Sequence, residues 1–104
     1  IEGYQNAKIL HEFDKYEGVK KLMPFAKGVS AKTHKFDANG NCTDVDFAKM
    51  MPIVKANLPK SFKGYIGIEY EGGVMKMMGS KENYLNEDAG IKATKALLEK
   101  ALLS

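Results

Sequence analysis

The feature that most constrains the fold is the hexapeptide Tyr65-Ile66-Gly67-Ile68-Glu69-Tyr70. Its apolar run is that of a strand buried on both faces, the pattern of a parallel sheet. Parallel strands cannot be joined by a tight turn. They need a longer crossover, usually a helix. A chain with this strand should therefore carry helical segments before and after it.

Those segments are legible. Asp14 offers a helix N-cap, and Glu17 stands three residues later as in a capping box. Tyr16, Val19, Met23 and Ala26 follow at helical spacing, which predicts a helix over about 14–26. Pro24 weakens its last turn and Gly28 is a reasonable stop. Residues 28–34 (GVSAKTH) read as a strand, and 36–41 as a turn rich in Asn, Asp and Gly. Thr43 with Asp46 gives a second capping signal. Phe47, Met50, Met51, Val54 and Leu58 then form one apolar helical stripe, with Pro52 expected to kink it and Pro59 just beyond its end. Residues 71–85 read as a long loop. Asn86 caps a last helix whose buried stripe is Ile91, Thr94, Leu98 and Leu102, widened by Leu97 and Ala101. Residues 1–12 fit no single element. The order helix, strand, helix, strand, helix is the βαβ rhythm of an α/β fold.

Length allows one small soluble domain over residues 1–104. All 16 basic residues are lysine and the net charge is only +3. Reading guanine or phosphate bidentately favours the arginine fork, so no nucleic-acid partner is expected. Cys42, the only cysteine, excludes an internal disulfide. No apolar run approaches the roughly 20 residues that span a bilayer, so no membrane partner is expected and the cytoplasm is the expected location. The first residues, Ile1-Glu2-Gly3-Tyr4, show neither an initiator methionine nor a signal-peptide pattern, which suggests a trimmed or partial chain.

Four stretches, in order, carry a family resemblance. Residues 16–33 (YEGVKKLMPFAKGVSAKT) and the following Phe36-Asp37-Ala38-Asn39-Gly40-Asn41 resemble the region around the seventh strand of bacterial sugar phosphate isomerase/epimerase-like proteins. Residues 64–72 (GYIGIEYEG) resemble the eighth strand, and 90–99 (GIKATKALLE) the closing helix. The resemblance implies the C-terminal βα units of a xylose-isomerase-like TIM (β/α)8 barrel. It is incomplete as a single chain, since a whole barrel takes about 250 residues.

The resemblance further implies a divalent metal ion (Mn, Mg, Co or Zn) at the carboxyl ends of the strands. The implied chemistry is proton transfer on an open-chain sugar or sugar phosphate. A Lewis acid would stabilise an enediolate while a placed base takes the proton. The last-strand glutamate of the family maps onto Glu69, as metal ligand and catalytic base. Relatives carry a histidine where Ser30 stands here. His34 lies on the same face by period-2 alternation and is either the replacement ligand or an exposed loop histidine. Lys32, on that face too, is a candidate catalytic and substrate-binding residue, with Ser30 a second substrate contact; a surface lysine is its plainer reading. Two ligands fall short of the usual three for a catalytic zinc, so the chain alone is expected to be inactive.

Other signals weigh less. Asp37, Asn39 and Asn41 imitate the start of a calcium loop, but the glycine falls at the wrong position and the closing glutamate is missing. Met75, Met77 and Met78 suit a flexible lid or ordinary packing. Cys42 has no local base in sequence. The scattered His11 and His34 do not make the histidine cluster of an abasic-site endonuclease. A different class of reading also stands. The chain would be a noncatalytic α/β module that joins copies of itself, or a complementing chain, through exposed sheet edges.

Overall fold

The computed structural model describes residues 13–103. The reading of residues 1–12 and of His11 lies outside the described residues. Within them the chain is a small α/β domain. Helix α1 spans Lys15–Leu22 and continues as a single 3-10 turn over Met23–Phe25. Strand β1 is Val29–Thr33, helix α2 is Phe47–Asn57 and strand β2 is Ile66–Tyr70. A short helix α3 follows at Gly72–Met77, and α4 closes the fold at Glu87–Leu103.

The caps act as their residue types dictate. The Asp14 carboxylate accepts from the Glu17 N–H at 3.4 Å and starts α1. Pro24 tightens the end of that helix into the 3-10 turn. Asp46, not Thr43, caps α2, accepting from Lys49 N–H at 3.2 Å, while the Thr43 hydroxyl turns to the Lys35 carbonyl. Pro52 sits inside α2 and the helix continues through it. Asn86 caps α4 by accepting from Ala89 N–H at 2.8 Å. In the 36–41 turn, Asp37 Oδ1 accepts from the N–H groups of both Asn39 and Asn41, and Gly40 takes φ +80, where only glycine is unstrained. This is turn chemistry and not a calcium loop.

The strands pair in parallel, with Val29 opposite Ile66, Ala31 opposite Ile68, Lys32 opposite Glu69 and Thr33 opposite Tyr70. Alternation sends Ala31 and Thr33 toward the helices and Ser30 and Lys32 away from them. The core joins Ala31 and Cys42 to Phe47, Met51 and Val54 of α2 and Leu97 and Leu98 of α4. Cys42 thus belongs to the core.

Three expectations need correction. Strand β2 is not buried on both faces: Gly67 and Ile68 are exposed. Only two strands pair among the described residues, so helices cover one face and the other stays open. The 71–85 segment is not all loop, because α3 forms in it directly after β2. Ile91 is 43 % exposed, and the inward stripe of α4 is Gly90, Thr94, Leu97 and Leu98. Small Gly90 is needed there because an added Cβ would collide with the Tyr70 ring.

Candidate functional site

The helix-free face of the sheet carries a continuous polar network. Register places Lys32 beside Glu69, and the alternation that exposes Lys32 exposes Ser30 as well. Ser30 Oγ donates to Glu69 Oε1 at 2.7 Å. Lys32 Nζ lies 3.3 Å from Glu69 Oε2 and 3.1 Å from Glu71 Oε1. Glu71 follows β2, its N–H donating to the Thr33 carbonyl at 2.8 Å, so the ladder holds it on the same face as Glu69. Its other oxygen stands 3.9 Å from His34 Nε2. His34 Nδ1 meets Asp44 Oδ2 at 2.9 Å, and the Cys42 thiol donates to Asp44 Oδ1 at 2.8 Å.

The charges are set by these contacts. The Ser30 hydroxyl, then Glu71 and the Lys32 ammonium, hold Glu69 below the usual glutamate range, so it is ionised at neutral pH. Glu71 and Glu69 raise the Lys32 ammonium, so it stays protonated. Burial pushes Asp44 upward, but hydrogen bonds from Cys42 and His34 outweigh it and keep the carboxylate ionised. Burial, then the Asp44 carboxylate, raises the Cys42 thiol, which makes it a poor nucleophile. Lys32 and Glu69 side chains are about half exposed, at 50% and 45%. An ion pair this open to water adds little stability.

Beside the network, at the carboxyl end of β1, lies a cleft of about 350 Å³. His34 and Asp44 line it with Lys35, Met75, Glu82 and Tyr84. Lys35 pairs with Glu82 at 2.9 Å, and Tyr84 hydrogen-bonds Ser80 and Glu82. Crevices outside the carboxyl ends of parallel strands are where α/β folds place ligands.

The structure therefore gathers Ser30, Lys32 and Glu69 into one contact set. His34 enters it through Glu71 and is half-buried against Asp44, not a free loop side chain. Sequence reasoning missed Glu71, Asp44, Glu82 and Tyr84. Glu71 had a signal, since it continues the alternation of Glu69 by one step. Asp44 had none, because its contact with His34 is made by the chain folding back through the antiparallel bridge of Phe36 with Cys42.

As a metal site the set does not fit by itself. Both Glu69 oxygens are engaged by Ser30 and Lys32, and His34 turns to Asp44. Among the described residues no group of three or more His, Cys, Asp or Glu side chains could hold a metal ion. No helix among them is long and apolar enough to cross a membrane. A comparison with protein-family models finds no match, and neither does one with curated protein sequences.

Proposed function

We propose that this chain supplies the last two βα units of a (β/α)8 barrel of the sugar isomerase/epimerase type, acting by proton transfer on an open-chain sugar or sugar phosphate. The observation that supports the reading is the helix-free sheet face. Ser30, Lys32 and Glu69 meet there, Lys32 and Glu69 in the carboxyl halves of their parallel strands, the end where barrels keep their chemistry.

In this reading the ionised Glu69 takes the proton from the carbon beside the carbonyl. Ser30 holds the carboxylate in place, and the Lys32 ammonium stabilises the charge that develops on the enediolate oxygen. His34, oriented by Asp44, faces the same region through Nε2 and can hold a substrate hydroxyl. The expected divalent ion would need ligands from outside the described residues, and no step is assigned to it. The chain alone is then inactive, and the remaining strands complete the site.

The test is solvent exchange. The intact barrel is incubated in D2O with aldose and ketose phosphates, and deuterium is followed at the carbons flanking the carbonyl. The reading expects incorporation that Glu69→Gln reduces by about 100-fold or more, the usual effect of removing a general base. Equal incorporation in wild type and Glu69→Gln would contradict it.

A further inference from the structure

We propose that the free edge of β1 receives the outer edge of β2 from a second copy of this chain. The inference stands on the two sheet edges and not on the polar face; strands that complete a barrel would take the same edges, so it is an alternative to that completion.

The ladder itself shows which groups are free. The Thr33 carbonyl accepts from Glu71 N–H, and in a parallel ladder successive residues serve opposite neighbours. Val29, Ala31 and Thr33 therefore bond β2, while Ser30 and Lys32 aim their backbone N–H and C=O outward. Among the described residues no strand pairs there. Beside this edge runs an apolar groove of about 240 Å³, walled by Val19 of α1, Met23 of the 3-10 turn and Met50, Met51 and Val54 of α2. An unpaired strand edge beside an apolar wall is a receptor for another strand.

The occupant must run parallel to β1, with apolar side chains on the helix side and an acid on the other. Strand β2 has that pattern and already pairs with β1 in that direction. Ile66 and Ile68 lie opposite Val29 and Ala31 on the helix side, and Ile68 keeps 36% of its surface exposed. The outer edge of β2 is itself unpaired among the described residues. A neighbouring β2 in the same register sets its isoleucines against the groove. It also brings its Glu69 to the open side of Lys32, repeating the charge match that exists within one copy. The contact is head-to-tail, so each copy adds two strands and the assembly continues to a ring or a filament. The polar face of one copy is then bordered by the next.

Sedimentation of the chain from micromolar to hundreds of micromolar concentration tests this. The expected result is a weight-average mass rising beyond twice the 11.5 kDa of one chain. Ser30→Pro removes an edge N–H without touching the bonds to β2, and Val19→Lys puts a charge in the groove. Each is expected to return the mass to that of one chain with its circular dichroism unchanged. A wild type of single-chain mass throughout overturns the proposal, as does assembly that neither variant weakens. A single-chain wild type whose fold is lost in both variants overturns it too, and assigns the groove to the segment ahead of Phe13.

Discussion

Thr33 of β1 and Thr94 of α4 join hydroxyl to hydroxyl at 2.7 Å, and both residues are fully buried. Thr94 spends its single proton on the Gly90 carbonyl at 2.8 Å. Thr33 must therefore be the donor of the shared bond. This contact ties the last helix to the strand that carries Ser30 and Lys32, so it fixes the floor beneath the candidate site.

The direction of that bond makes the two threonines unequal. Thr94→Val strands the Thr33 proton in the core and should cost about 1–3 kcal/mol. Thr33→Val removes an acceptor's partner but leaves the Thr94 proton satisfied, and should cost less, about 0.5–1.5 kcal/mol. Denaturant unfolding of the two variants and their double mutant checks this. Thr33→Val costing more than Thr94→Val would reverse the assignment.

Tyr70 is packed between two glycines. A Cβ at Gly72 or Gly90 would collide with its side chain, whereas one at Gly73 would meet nothing within 4 Å. Gly90→Ala should therefore destabilise by about 1–3 kcal/mol, the ordinary range for overpacking. Gly73→Ala, in α3, should be neutral or stabilising by up to about 1 kcal/mol. Thermal unfolding separates the two, and equal effects would mean that the Tyr70 ring moves aside freely.

The Glu69 carboxylate provides a pH signature. Its folded-state pKa is depressed, first by the Ser30 hydroxyl and then by Glu71 and Lys32. The stability it contributes is present above the ordinary glutamate range and is lost as pH falls through the folded value. Lys32 has the opposite sign: its pKa is raised, so its contribution is present below the ordinary lysine range and lost as pH rises through the folded value. Carbon-detected NMR titration should show Glu69 ionising below a free glutamate, and Ser30→Ala should move it upward. No movement in Ser30→Ala would remove Ser30 as the cause.

Much of this fold was legible in the sequence because its signals are local. Asp14 and Asn86 cap their helices through contacts within three residues, the cap of α2 falls on Asp46 three residues beyond the expected Thr43, and the 36–41 turn follows from Asp37 and Gly40 alone. Alternation places Ser30 and Lys32 on one face of β1 from the sequence alone, whereas the juxtaposition with Glu69 comes from the register of the two strands. What was not legible depends on distant partners. The exposure of Ile68 follows from how few strands pair, and α3 forms where glycines and methionines suggested a loop. His34 takes Asp44 as its partner through a fold-back of the chain, which spacing does not encode.

The most direct measurement of the central claim is amide NMR mapping of the isotopically labelled chain titrated with pentose and hexose phosphates. If the helix-free face is the binding surface, shifts should concentrate at Ser30, Lys32, His34, Glu69 and Glu71 and weaken in Lys32→Met. Shifts confined to the helices, or none at these five residues, would contradict the account.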